Sequence, residues 1–241
     1  VYEAISEKLA GGNVEFAAGS DFYETKSLDD AVKKAAAVDA VVLCLGEPAY
    51  CETPGNINDI TLPEAQLELA EALIATGKPV VMVLIEGRPR VISRIADKID
   101  GIIMAYLPGM EGAPAIADVI FGDHNPGGKL PFTYTRHTKD LTTYDHKYLE
   151  IQGGNSFNPQ WEFGHGLSYT TFEYSDLKLD SKVIASGGSI EASITIKNTG
   201  QRPGLENVLH FVSDFKIRIG DQETDFALVM PDQASIKRAA P

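Results

Sequence analysis

The chain has 241 residues, of which 44% are hydrophobic and 23% are charged, a composition typical of a globular protein with a core of ordinary size. Its net charge of −13 disfavours nucleic acid as a partner, because nucleic-acid binding needs clusters of basic side chains. No run of residues reaches the ~18 apolar positions that a membrane-spanning helix needs, so we expect no membrane partner either.

The first half of the chain predicts strands that alternate with helices. Helices are predicted at 2–9, 27–38, 63–76, 91–99 and 111–121. Apolar runs typical of strands lie at 40–45, 79–85 and 101–106, and weaker strands are predicted at 13–18 and 130–134. The continuous apolar runs favour strands buried on both faces, so Cys44 is expected in the interior. The fold class that follows is α/β, a mainly parallel sheet with helices on both faces.

Beyond residue 134 the pattern changes. Residues 135–171 are polar and aromatic with little periodicity, and they are interpreted as an ordered linker that lies across the first domain. Trp161 is expected to anchor this linker by packing, with stacking against a substrate as the alternative. Residues 172–241 show a two-residue alternation that predicts a small antiparallel β-sandwich. This segment has about 70 residues where ~100 are usual, so the sandwich is expected to be incomplete.

A long polar loop, GEPAYCETPGNINDITL, lies between a predicted strand and a predicted helix. Most such connections take roughly two to six residues, and a much longer one is usually functional. Ligands of parallel sheets bind outside the carboxyl ends of the strands. Three loops leave those ends, and together they carry Glu47, Glu52, Arg88 and Glu111. Glu52 is the best candidate for chemistry, whereas the others have a second interpretation as helix caps or mutual ion-pair partners.

Other enzyme classes find little support in the sequence. It contains neither a G-x-S-x-G nucleophile motif nor a phosphate-binding G-x-x-x-x-G-K-[ST] motif. The five histidines lack the spacing of metal ligands, so we expect no metal and no other cofactor. The two cysteines, Cys44 and Cys51, do not indicate a redox compartment.

Six motifs occur in a fixed order: GEPAYCETPG, LPEAQ, GRP, LPG-x-EG, FGDHNPGGKLPFT and FGHGLSYTTFEY. They cover roughly residues 1–214, and together they resemble the C-terminal half of glycoside hydrolase family 3, the β-glucosidase and exo-glucanase group. The resemblance implies an α/β sandwich domain at 1–134 and a fibronectin type III-like domain from 172 onward, whose middle strands are missing here. It also implies a partner, an N-terminal (β/α)8 barrel supplied in cis or by another chain.

The resemblance further implies hydrolysis of terminal β-D-glucosyl residues, from β-glucosides or β-glucan oligosaccharides, with retention of configuration. The nucleophilic Asp of such enzymes lies on the barrel, and the general acid/base falls on Glu52 in this sequence. Glu47 is the alternative acid/base, and its other interpretation is a structural partner for Arg88. The sugar site is expected to include Tyr50, Glu47 and Arg88.

Two further expectations follow from the resemblance. The chain by itself should be inactive because it lacks the nucleophile, and the location expected from the family is the periplasm or the outside of the cell. The alternative function is of a different class: a non-catalytic carbohydrate-binding or scaffolding fragment of a hydrolase.

Overall fold

The computed structural model describes residues 1–140, 158–181 and 189–208, together with the backbone of 215–219 and 222–226. The α-helices in these residues are α1 (Tyr2–Lys8), α2 (Leu28–Ala37), α3 (Glu64–Ile74) and α4 (Gly112–Phe121). The first three strands are β1 (Val41–Gly46), β2 (Val80–Ile85) and β3 (Gly101–Met104). Short 3-10 helices lie at Thr53–Gly55 and Ala96–Lys98. No described helix has the length and apolarity needed to cross a membrane.

The three strands form one parallel sheet in the order β1-β2-β3. Val41 pairs with Val80 at one end of the β1–β2 ladder, and Gly46 pairs with Ile85 at the other. Central strand β2 is the most deeply buried, since its residues Met82, Val83 and Leu84 have no solvent exposure. A parallel strand reaches this burial when both faces of its sheet are covered by helices. The predicted α/β fold is thereby confirmed.

Different pairs of helices cover the two faces. On one face, Ala35 of α2 and Leu73 of α3 belong to the same core cluster as Leu43. On the other face, Ile5 of α1 and Ala117 of α4 form a smaller cluster, against which the partly buried Val42 packs. Since side chains alternate across a strand, Leu43 and Val42 point to opposite faces.

Cys44 is exposed, so its predicted interior position is wrong. The residue shares the face of Val42, two positions earlier on the same strand. The smaller cluster reaches Val42 but does not include Cys44. The cover that α1 and α4 give to this face therefore does not extend to Cys44.

Three of the predicted elements are replaced by irregular backbone. Residues 13–18 form no strand, and the carbonyl of Phe16 accepts a hydrogen bond from the Lys34 side chain (2.9 Å) instead of a strand partner. Residues 91–99 contain only the 3-10 turn Ala96–Lys98, because Val91 forms a bridge with Thr61. Residues 130–134 contribute one bridge, from Tyr134 to Trp161. The apolar residues of these segments led to a prediction of more regular structure than they form, because no neighbouring strand pairs with them along their length.

The second half contains antiparallel strand pairs, as the alternation predicts. β4 (Phe172–Leu179) pairs with β5 (Ala192–Asn198), and β6 (Phe215–Ile219) pairs with β7 (Gln222–Phe226). The question of missing middle strands falls on residues 209–214, which lie outside the described residues, as do residues 141–157 of the predicted linker and the tail from 227.

Asn125, in the FGDHNPGGK motif, ties the second half of the chain to the first. Its side-chain amide donates to the carbonyl of Pro203 (2.9 Å), and its oxygen accepts from the Tyr169 backbone N–H (2.7 Å). Nearby, Asn207 donates to the carbonyl of Gly127 (3.0 Å). The motif therefore connects the two parts of the fold through hydrogen bonds.

Trp161 packs against the main core and lies edge-on to Tyr134, with 5.0 Å between ring centroids. This contact confirms the predicted anchoring by packing. The Tyr134 hydroxyl continues inward, 2.6 Å from the carbonyl of Arg90 and 3.2 Å from the carboxyl of Glu86. Glu86, which follows β2, is fully buried and also accepts the backbone N–H of Arg90 (3.1 Å). The segment after α4 is thus attached to the carboxyl edge of the sheet.

Burial raises the pKa of Glu86 to about 7, against the opposing hydrogen bonds from Arg90 and Tyr134. The tyrosine hydroxyl has one proton, and the Arg90 carbonyl can only accept it. A protonated Glu86 therefore satisfies both contacts, because it can donate its own proton to the Tyr134 oxygen.

Gly46 ends β1 in a conformation that only glycine adopts easily, with φ of 152°. A Cβ added there would lie 2.0 Å from the carbonyl oxygen of Ile85. The buried side chain of Gln66 holds the same residue from α3, since it accepts the Gly46 N–H (2.9 Å) and donates to the Gly46 carbonyl (2.8 Å). These contacts set the direction in which the long loop leaves the sheet.

We expect Gly46→Ala to destabilise the fold severely, by more than about 4 kcal/mol, because the new methyl group would collide with backbone that cannot move independently. Gly77→Ala is the matched control, since Gly77 has φ of 72° and open space around its Cβ position. It should lose only ~1 to 2 kcal/mol for left-handed backbone strain. Urea unfolding of both variants would measure the difference, and equal small losses would contradict the close approach at Gly46.

Glu86→Gln should remove a pH dependence of stability. Between the ordinary pKa of 4.5 and the folded value of about 7, the unfolded chain has released a proton that the folded chain keeps. The wild type should therefore lose up to about 3 kcal/mol of stability as pH rises through this range, and the neutral glutamine should not. Urea unfolding at about pH 5 and pH 8 would measure both proteins. Identical pH profiles would show that Glu86 titrates normally.

Candidate active site

The loops that follow β1, β2 and β3 lie at one edge of the sheet, because all three strands run in the same direction. The first is the long loop 46–62, the second carries Arg88, and the third carries Leu107. A Cβ placed on Gly87 would meet the Tyr50 hydroxyl of the first loop at 2.5 Å and the Leu107 side chain of the third at 3.5 Å. The three loops therefore meet around Gly87.

Glu47 and Arg88 form a partly buried ion pair across the first two loops. The carboxylate is 3% exposed, and its Oε2 accepts from Arg88 Nε (3.0 Å) and Nη2 (2.9 Å). Oε1 accepts the backbone N–H groups of Gly87 (3.1 Å) and Arg88 (3.2 Å). Arg90 adds a longer contact of 3.6 Å. Burial alone would raise the pKa of Glu47, but the hydrogen bonds from Arg88 outweigh it and hold this pKa below its ordinary value.

Tyr50 and Gly55 complete the contacts of Arg88. The guanidinium lies over the Tyr50 ring, 4.0 Å from its centroid, and its remaining Nη1 donates to the carbonyl of Gly55. Gly55 itself packs under Tyr50, since a Cβ there would lie 2.6 Å from the ring. One arginine thus contacts the loop at three points.

Glu52 lies on the same loop, between the contacts at Tyr50 and Gly55. It is exposed, and among the described residues no hydrogen bond or ion pair engages its carboxylate. Its backbone has φ of 48° and ψ of −144°, an unusual conformation for a residue with a side chain. Strained backbone of this kind clusters at functional sites. The 3-10 turn Thr53–Gly55 begins directly after it.

The structure thus brings Glu47, Tyr50 and Arg88 into direct contact and places Glu52 between their loop contacts. Glu111 is exposed at the start of α4 and takes no part in the cluster. Sequence reasoning missed Glu86 and Gln66 as buried members of this edge. A carboxylate directly after an apolar strand was the only available signal for Glu86.

A cavity of about 100 Å³ adjoins the cluster, lined by residues that include Tyr23, Pro48, Ile57 and Pro63. Pockets for small molecules usually measure ~300 to 1,000 Å³. This cavity is too small to enclose a sugar. Within the described residues there is also no group of three His, Cys, Asp or Glu side chains suited to hold a metal ion.

Residues 1–169 match the family described as "Glycosyl hydrolase family 3 C-terminal domain". A lysosomal β-glucosidase of Dictyostelium discoideum is 36% identical over a region that covers 87% of this chain and 27% of that protein. A periplasmic β-glucosidase of Salmonella typhimurium is 36% identical over 78% of this chain and 26% of its own length. A β-xylosidase of Formosa agariphila is 38% identical over 86% of this chain and 30% of that protein.

Solved structures agree with these relatives. A β-glucosidase from Erythrobacter marinus superimposes with a TM-score of 0.73 and 32% identity, over 92% of this chain and 34% of that one. A β-glucosidase from Listeria innocua in complex with glucose gives 0.66 and 32%, over 75% of this chain and 28% of its own. The chain thus spans between about a quarter and a third of the length of these relatives. It belongs to glycosyl hydrolase family 3, and residues 1–169 match the C-terminal domain of that family.

Proposed function

We propose that this chain is the acid/base-bearing part of a retaining β-glucosidase, and that Glu52 is the general acid/base. The observation that carries the proposal is the position of Glu52, exposed and unpaired among the described residues, on a strained turn at the carboxyl edge of the sheet. Ligand sites of parallel α/β sheets lie at this edge.

The environment of Glu47 argues against the alternative assignment. A general acid must be protonated at the working pH, which requires a raised pKa. The ion pair with Arg88 instead lowers the pKa of Glu47 and occupies its Oε2, while backbone N–H groups occupy its Oε1. Glu47 and Arg88 are therefore assigned to the support of the site, and Tyr50 is the member of the cluster whose exposed ring could border a sugar.

Retaining hydrolysis uses two carboxylates that lie roughly 5 to 5.5 Å apart. One attacks the anomeric carbon, and the other protonates the departing oxygen and then activates water. Glu52 would supply the second function, and an aspartate of an N-terminal (β/α)8 barrel, in cis or on another chain, would supply the first. Contact with that barrel would also provide the burial that keeps a carboxyl group protonated. The chain alone is accordingly proposed to be inactive.

The substrate class proposed is β-glucosides and β-glucan oligosaccharides with a terminal β-D-glucosyl residue. The relatives named above support it, since two are β-glucosidases and one structure contains glucose, while one relative is a β-xylosidase. One relative is named as periplasmic and another as lysosomal, which supports an exported protein.

The test is Glu52→Ala in the full-length enzyme, assayed on aryl β-glucosides with a good and a poor leaving group. Loss of the acid should lower kcat/KM for the poor-leaving-group substrate by ~10² to 10⁴ and affect that for the good one far less. Loss of the base should slow hydrolysis of the glycosyl-enzyme, which limits turnover of the good one. Azide should restore turnover on the activated substrate and yield a glycosyl azide, because it attacks the glycosyl-enzyme without base catalysis. Mass spectrometry would identify that product.

Glu68→Ala is the matched control, since it removes an exposed carboxylate from α3 without touching the loop. It should behave as the wild type on both substrates. Equal, small losses for Glu52→Ala on both substrates would move the acid/base role elsewhere. An inactive wild-type enzyme would instead favour a carbohydrate-binding or scaffolding protein.

A further inference from the structure

Arg88 contacts residues on both sides of Glu52 in the sequence. On one side, the guanidinium binds the Glu47 carboxylate and covers the Tyr50 ring. On the other side, it donates to the carbonyl of Gly55. The nine-residue stretch from 47 to 55 is therefore closed into a compact loop by a single side chain from the neighbouring strand end.

The base of this loop cannot shift easily. Glu47 is held by four hydrogen bonds, two from backbone N–H groups and two from the guanidinium of Arg88. Gly46, one residue earlier, is held by the buried amide of Gln66. The guanidinium is therefore attached to a fixed point, from which it reaches the movable part of the loop.

The movable part contains the strained residue. Backbone in such unusual conformations is unfavourable and persists only when its surroundings enforce it. Two hydrogen bonds enforce it here. The Gly55 N–H donates to the Glu52 carbonyl (2.9 Å), and the Arg88 guanidinium donates to the Gly55 carbonyl. Without Arg88, this hydrogen bond between the turn and the sheet edge is lost, and the Glu52 backbone can adopt a less strained conformation.

We propose that Arg88 is a positioning residue, which acts on the glycosidic reaction through Glu52 and without contacting the substrate. This inference rests on the proposed role of Glu52. It differs from the expectation that the arginine binds the sugar, because three of the five N–H donors of the guanidinium already bond within the loop and one of its faces lies against the Tyr50 ring. This positioning role requires the planar, fixed arrangement of N–H donors of a guanidinium, which a lysine ammonium cannot reproduce.

The test is Arg88→Lys in the full-length enzyme, which keeps the charge and removes the fork. Displacement of Glu52 by about 1 Å should lower kcat/KM for a poor-leaving-group aryl glucoside by ~10- to 100-fold, and barely change it for a good one. Arg94→Lys is the matched control. Arg94 also forks between two carboxylates, those of Glu64 and Glu71, but on the exposed side of α3. It should leave both substrates unaffected, and urea unfolding of both variants would reveal any general loss of stability.

The double variant Arg88→Lys, Glu52→Ala separates the possible roles. If Arg88 acts through Glu52, the double variant is no slower than Glu52→Ala alone, because the group being positioned is gone. Losses that multiply, or equal losses on both substrates, would overturn the proposal and make Arg88 a substrate-binding or purely structural residue. If the loss caused by Glu52→Ala does not depend on the leaving group, the proposed acid/base role of Glu52 is wrong. That result is obtained without any Arg88 variant, so the two proposals are tested separately.

Discussion

The partly buried ion pair between Glu47 and Arg88 is the interaction on which the carboxyl edge of the sheet depends. It joins the loops after β1 and β2 just beyond their last paired residues, Gly46 and Ile85. Burying two charges is costly unless their hydrogen-bonding groups are satisfied. Here both oxygens of the carboxylate and each nitrogen of the guanidinium have at least one partner, so the pair is tolerated. Loss of Arg88 would leave the carboxylate of Glu47, which is 3% exposed, without its main compensating charge.

The edge therefore divides into a rigid base and an exposed tip. The base holds Gly46, Glu47 and Glu86 through buried polar contacts, whereas Glu52 faces solvent within the described residues. A sheet edge built in this way restrains the backbone of Glu52 and leaves its carboxylate open to whatever surface lies against it. This arrangement suits a shared site, in which one domain supplies a prearranged group and another encloses the substrate.

The sequence was sufficient to predict the parallel sheet, because its strands are uninterrupted apolar runs. The choice of Glu52, which was based on a loop far longer than the connection requires, stays a prediction. The sequence could not decide the role of Glu47, whose partner Arg88 lies 41 residues further along the chain. Nor could it predict that Glu86 is buried, since a carboxylate after a strand is the ordinary pattern of an exposed loop. The exposure of Cys44 followed from the extent of helix cover, which no local pattern records.

The distribution of contacts along the long loop also bears on how this fold can diversify. Hydrogen bonds fix its start at Gly46, and Arg88 binds its first half. Its end is held by the hydrogen bond from the Leu62 N–H to the carbonyl of Val91 (3.1 Å). Between Asn56 and Asp59 the chain is exposed and bears none of these restraints. Extra residues inserted there would cost little, since loop-closure entropy grows slowly with length. Evolution could thus reshape the rim of the site at this point and leave the placement of the carboxylate untouched.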